Sequence, residues 1–157
     1  MSERKAREPV IENRAARHDY SIGDTLEVGL KLLGSEVKSV RDGKVSLAEG
    51  FVTARGEPPS LELHRVHISE YPPAGAARQH PPMRVRTLLA HAREIRKLAV
   101  EVQAKGASLV PLKIYFKSGR AKLLVGVGQG RKKADKRHAI RDREMKREME
   151  RGMGRRG

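Results

Sequence analysis

Val110-Pro-Leu-Lys-Ile-Tyr-Phe-Lys-Ser-Gly-Arg-Ala-Lys-Leu-Leu-Val-Gly-Val127 reads as two strands folded back on each other. Val110, Leu112, Ile114 and Phe116 recur at the two-residue period that lines one face of a strand. Ala121, Leu123, Val125 and Val127 repeat that period across Ser118-Gly119, a pair suited to a tight hairpin turn. The opposite face carries Lys113, Tyr115, Lys117, Arg120 and Lys122, four cations around one aromatic ring. On a rigid sheet such a surface suits RNA, with phosphates on the cations and a base on the ring. A merely solvated outer face is the alternative.

Outward from the hairpin, the same logic places the other elements. Leu26, Val28, Leu30 and Leu32 alternate with Glu27, Gly29 and Lys31, which is a half-buried strand. Gly34-Ser35 opens a short helix, with Ser35 as its cap, Glu36 in the first turn and Arg41 beside the stop signal Asp42-Gly43. Segments 45–54 and 61–68 read as strands separated by the turn Gly56-Glu-Pro-Pro59. Prolines keep 71–82 in a loop. Leu88, Ala92, Ile95, Ala99 and Val102 recur at helical spacing and end at Lys105-Gly106. Antiparallel strands with one wet face and about three short helices predict a mainly β, α+β fold, a small closed or nearly closed barrel.

The chain has 157 residues, Lys+Arg 34 against Asp+Glu 19, and a formal charge of +15. That is one domain plus tails: a flexible segment 1–12, a barrel domain 13–130 and a basic tail 131–157. The tail holds twelve Lys/Arg and five Asp/Glu with almost no aliphatic residues, too little apolar surface to fold by itself. A basic body carrying a more basic tail points to a polyanion, and to RNA first.

Cysteine is absent, which removes disulfides and sulfur-ligated metals and suits a cytoplasmic location. No apolar run is long enough for export or membrane spanning. His64 and His67, three apart on one predicted strand, point to opposite faces. His91 and Glu94 share a helix face without the rest of a metalloprotease pattern, and His18-Asp19 is at most half of an acid–base pair. Gly126-x-Gly128-x-Gly130 has the spacing of neither a dinucleotide loop nor a P-loop, and reads as a strand end and hinge. No catalytic, metal or cofactor site emerges.

Five strings together carry a resemblance. They are Asn13-Arg-Ala-Ala-Arg-His-Asp-Tyr20, Gly34-Ser-Glu-Val-Lys-Ser-Val-Arg41, Arg84-Val-Arg-Thr-Leu-Leu89, Val110-Pro-Leu-Lys-Ile-Tyr115 and Gly130-Arg-Lys-Lys-Ala-Asp-Lys-Arg137. In this order the chain resembles the SsrA-binding protein (small protein B) family over nearly its whole length. The resemblance implies a bacterial cytoplasmic protein with an oligonucleotide-binding-type (OB-like) barrel and a tail that is disordered when free and helical on the ribosome. It implies binding to the tRNA-like domain of transfer-messenger RNA and delivery of that RNA to stalled ribosomes for trans-translation, with no reaction catalysed. Contact with elongation factor Tu through the RNA follows from the same resemblance. A structural ribosomal protein is the competing reading.

The family's RNA-contact positions fall on Asn13, Glu27 and Leu89, supported by Lys38 and Arg41. Its ribosome-contacting tail falls on Arg131, Lys132, Lys133, Asp135, Lys136, Arg137 and His138, in the decoding site and mRNA channel. Glu27 as a surface ion pair with Lys31, and Leu89 as a core residue, are the alternatives. Thr87 stands where the family usually has Lys, Ala134 where a His or aromatic is common, and Gly152 where an aliphatic residue is common.

Overall fold

The computed structural model describes residues 8–130, 143–149 and 151. Nine strands and three helices follow in chain order: β1 (Ile11–Glu12), α1 (Arg14–Asp19), β2 (Tyr20–Leu30), α2 (Gly34–Arg41), β3 (Val45–Ser46), β4 (Phe51–Gly56), β5 (Pro59–His64), β6 (His67–Ile68), β7 (Arg86–Leu89), α3 (Ala92–Lys105), β8 (Ser108–Lys117) and β9 (Arg120–Gly130). Residues 143–149 and 151 are helical and exposed. The fold is mainly β with helices, as the alternation predicts.

Seven strands pair in the order β1-β8-β4-β5-β7-β2-β9, and a further β8–β9 pairing joins the order into a ring of six strands with β1 at its rim. Inside lie Val28, Leu30, Val52, Leu61, Leu63, Leu88, Leu109, Ile114, Leu123 and Val125, all buried. α3 closes one side through Ile95 and Leu98, and α2 adds Val40. Of the alternating residues of 26–32, Val28 and Leu30 are buried in this core and Leu26 and Leu32 pack against it half-buried.

The hairpin reading needs one correction. Pro111 pairs with Val125 but Lys113 with Leu124, so Leu112 is an extra residue in β8. Such a bulge reverses the side-chain alternation. Val110 and Leu112 therefore lie not with Ile114 but on the other face, in a second cluster with Ala16, Tyr20, Ile22 and Leu124 under α1. A matching irregularity between Ile22 and Thr25 in β2 turns Ile22 the same way. The glycines of β9 make this cluster fit. A Cβ on Gly126 would stand 2.8 Å from Leu112 and 2.9 Å from Ile22, and one on Gly128 would stand 3.0 Å from Tyr20. Gly126 and Gly128 thus form the floor on which larger side chains rest, and Gly130 ends the strand as read.

Other boundaries shift for local reasons. Leu88 belongs to β7, and its apparent helical spacing to Ala92 is a coincidence of two elements; α3 begins at Ala92. Its buried face uses Ile95 and Leu98, and Glu94 accepts from the His91 backbone N–H at 3.3 Å. Segment 45–54 is two strands, β3 and β4, and 61–68 is two, β5 and β6. His64 and His67 consequently sit on different strands. The proline loop contains two short 3-10 turns, at Pro72–Ala74 and Ala76–Arg78.

Candidate nucleic-acid interface

Strand register assembles the outer face. Gly29 of β2 pairs with Leu89 of β7 on one side and Lys122 of β9 on the other, and Lys122 pairs with Tyr115 of β8. Leu89, Gly29, Lys122 and Tyr115 thus form one row across four strands. The neighbouring row runs Glu12, Lys113, Leu124 and Glu27. Gly29 allows a close approach here: a Cβ on it would stand 3.2 Å from the Leu89 Cβ, a tight contact. Leu89 is 56% exposed, so the core alternative for it is excluded.

Glu27 is the carboxylate that these cations and Tyr115 surround. It accepts a hydrogen bond from the Tyr115 hydroxyl, and Lys117 Nζ lies 3.5 Å from its Oε1. Its surface partner is therefore Lys117, not Lys31. The Tyr115 hydrogen bond, aided by Lys117 and Lys122, holds the Glu27 carboxyl below its ordinary value. Tyr115 is pushed up to about 12, first by burial and then by the hydrogen bond and charge of Glu27. The phenol thus stays protonated and keeps donating at neutral pH.

A groove of about 440 Å³ beside this row is lined by Gly29, Val37, Leu89, Phe116, Arg120 and Lys122, among others. The Arg41 guanidinium lies over the Phe116 ring, 5.4 Å from its centroid, so α2 reaches the groove's edge. Lys38 is exposed on the same helix. Apolar floor, ring and cations at the rim are what a phosphate-bearing, base-bearing ligand needs.

Asn13 stands apart from this surface. It is only 9% exposed, and its Nδ2 donates to Pro111 O at 2.8 Å and Leu47 O at 3.2 Å. These two donations hold the start of α1 against β8 and against the segment that follows β3. Thr87 is exposed and pairs with Glu62, and its carbonyl accepts from Lys31 N–H at 3.1 Å. Arg131, Lys132, Lys133, Ala134, Asp135, Lys136, Arg137, His138 and Gly152 lie outside the described residues.

Sequence reasoning missed what the Gly34–Arg41 and Arg84–Leu89 strings do inside the molecule. Glu36 is wholly buried, and it accepts from Arg84 at 2.5 Å, Arg86 at 2.7 Å and the Leu33 backbone N–H at 2.8 Å. Arg86, also wholly buried, donates further to Val66 O and Pro82 O. Burial pushes the Glu36 carboxyl up, but hydrogen bonds from Arg84, Leu33 and Arg86 outweigh it, and the net displacement is downward. Ser35 does not cap α2: its Oγ is 2.8 Å from buried His80 Nδ1, whose Nε2 is 3.0 Å from Ile68 O. Ser39 donates to Ser69 O at 2.6 Å. The sequence signal was present: a Glu at the third position of a helix, and two Arg two residues apart, one just before and one opening a strand whose inner face is otherwise apolar.

Known proteins match this chain along most of its length. A family model described as SmpB protein matches residues 10–155. The SsrA-binding protein of Thermobifida fusca (strain YX) is 49% identical over 94% of this chain and 90% of its own length. That of Lactobacillus helveticus (strain DPC 4571) is 45% identical over 98% and 99%. A solved structure described as "tmRNA-SmpB: a journey to the center of the bacterial ribosome" superposes with a TM-score of 0.65 at 44% identity, covering 85% of this chain and 95% of that one. Matched along almost its whole length by relatives nearly half identical to it, the chain belongs to the SmpB family of SsrA-binding proteins.

Proposed function

We propose that this chain binds the tRNA-like domain of transfer-messenger RNA through the outer face of β2, β7, β8 and β9 and accompanies it to stalled ribosomes for trans-translation. It acts as a binding protein and catalyses nothing itself. The observation that carries the reading is the row Leu89–Gly29–Lys122–Tyr115 with Glu27 beside it. Relatives named for binding SsrA, and a neighbour described with tmRNA and the ribosome, support it. The six-stranded ring is, on this reading, an OB-like barrel spanning 13–130, working in the cytoplasm. Asn13 serves the interface by fixing α1. Lys38 and Arg41 supply phosphate contacts from the flank, and elongation factor Tu meets the complex through the RNA. Residues 131–157, including Arg131 to His138, form the ribosome-contacting tail.

Two measurements test this. If about five phosphates are neutralised, log affinity for a tRNA-like RNA falls with log salt at a slope of roughly −3.5 to −4.5; a flat dependence defeats the electrostatic basis. Truncation after Gly130 should leave the strands folded yet abolish peptide tagging on stalled ribosomes in a reconstituted system. Stoichiometric presence on every ribosome would instead favour a structural ribosomal protein.

A further inference from the structure

The outer face carries a second row, apolar and displaced from the Leu89–Tyr115 row. Phe51 of β4 pairs with His64 of β5. One step beyond the Glu62–Thr87 and Leu63–Arg86 pairs, the β5–β7 register brings His64 opposite Val85. The β2–β7 register runs on through Lys31, whose N–H donates to Thr87 O at 3.1 Å, toward Leu33 beside Val85. Phe51, Val85 and Leu33 are 41%, 43% and 47% exposed, while the alternating Val52, Leu63 and Arg86 are buried. Apolar side chains exposed together, rather than singly, mark a contact surface.

The two rings in this row are already arranged. Phe51 and His64 stack with centroids 5.0 Å apart and planes 7° from parallel. Thr53 Oγ1, 3.0 Å from His64 Nε2, anchors the imidazole. Such a pair presents a preformed π surface to a further ring. The row contains no Lys, Arg, Asp or Glu, whereas the neighbouring row Thr53–Glu62–Thr87–Lys31 holds one charge of each sign. It offers phosphate little, and it is too narrow for the roughly 800 Å² that a standard protein interface buries on each partner. A flat aromatic ligand fits it better. Val85 and Leu89, four residues apart and both turned outward, stand about 13 Å apart at the rise of a strand. One RNA can therefore reach both rows.

We propose that Phe51 and His64 form a stacking platform for an unpaired nucleobase of the RNA held at the Leu89–Tyr115 row, with Val85 and Leu33 widening its seat. The proposal rests on the RNA-binding reading above and adds to it a contact made with a base rather than with the backbone. Stacking tolerates any sequence because every base has a π face. What the platform selects is an RNA with an unpaired base at the right distance from Leu89, against a plain duplex. No phosphate is neutralised there, so no counterion is released and the gain in affinity is the same at every salt concentration.

The test uses the full chain and the tRNA-like domain of transfer-messenger RNA. The chain has no tryptophan, so Phe51→Trp keeps a ring in the row and makes it the sole indole reporter. That fluorescence should be quenched by the RNA, with affinity retained, and little by a fully paired duplex. Val100→Trp, exposed on α3 outside the row, should be quenched by neither. Phe51→Ala should lower affinity about 5- to 100-fold, the range for one stacked base, and keep the wild-type salt slope. Unchanged affinity in Phe51→Ala, or an indole in Phe51→Trp that the RNA does not quench, overturns the platform and leaves the RNA-binding reading standing. A shallower slope in Phe51→Ala means that a phosphate contact was lost and also overturns it. Self-association that disappears in Phe51→Ala while RNA affinity holds assigns the row to a second copy of the chain and overturns the platform. Failure of the wild type to bind the RNA at all overturns both.

Discussion

Glu36 and Glu27 both answer to basic partners, yet one is wholly buried and the other stands 36% exposed on the outer face. Glu36 receives fixed donors on both oxygens, from two arginines and a backbone N–H. Nothing in that site is left over for a ligand. Glu27 is held by one phenol and one long lysine, 65% exposed, and both can release it to a base edge or a 2′-hydroxyl. Residues of equal chemistry thus divide by enclosure: the enclosed carboxylate holds α2 to β7, and the open one is available for recognition. The same division separates Leu88, 2% exposed, from its neighbour Leu89, 56% exposed, because adjacent strand residues face opposite sides.

Glu36→Gln should show the largest effect. It leaves the buried Arg86 charge uncompensated, which costs about 3–5 kcal/mol by urea denaturation. A loss below about 1 kcal/mol would mean that water or rearrangement relieves Arg86, and the enclosed half of the contrast would fail. The pH dependence has a definite sign. Because the folded-state carboxyl lies below its ordinary 4.5, its stabilisation is complete above that value and lost as pH falls through the folded pKa. Glu36→Gln should therefore flatten the acid limb of the stability profile.

The leucine pair sharpens the contrast on a smaller scale. Leu88→Ala should cost about 2–5 kcal/mol, as for other enclosed leucines, with RNA affinity preserved wherever the protein remains folded. Leu89→Ala should leave the unfolding midpoint unchanged within about 0.5 kcal/mol and weaken RNA binding. If the two variants behave alike, register does not separate core from interface on β7.

Glu27→Ala should leave the fold intact and weaken RNA binding on the order of tenfold, the factor carried by a lost hydrogen bond to a charged group. It does so although the chain becomes more positive. Tighter binding would show that Glu27 repels RNA and belongs only to Tyr115 and Lys117.

Much of this was legible in advance. α2 and the β8–β9 hairpin stand where the Asp42-Gly43 stop and alternation place them, while β2 takes in 26–30 of the alternating stretch but begins at Tyr20, six residues before it. Tyr115 and Lys122 were read on one hairpin face, but Glu27 and Leu89 came from other strings, and only strand register brings those two to the same surface. The bulge at Leu112 was hidden because an extra residue leaves the apolar spelling of a strand unchanged. It shows only in the glycines opposite, whose missing side chains admit Leu112 and Ile22. The Glu36–Arg86 pair was hidden for another reason: charged residues are read as exposed by default, and their partners lie about 50 residues away.

The finest probe of the open carboxylate is its hydrogen-bond donor. Tyr115 ionises at about 12 because burial, then the hydrogen bond to Glu27, then the Glu27 charge all disfavour the phenolate. Glu27→Gln removes the charge and weakens the hydrogen bond but leaves the burial. The midpoint should therefore fall part of the way toward the ordinary 10. Phenolate absorbance in the near ultraviolet reads it, with Tyr115→Phe identifying which of the three tyrosines moves. A raised folded-state pKa means that the protonated phenol favours the fold up to its unfolded value and that this contribution fades as pH rises through about 12. An unmoved midpoint in Glu27→Gln would leave burial as the whole cause. Glu27 would then be as loosely tied to Tyr115 as to solvent, and the surface carboxylate would be freer for RNA than its geometry indicates.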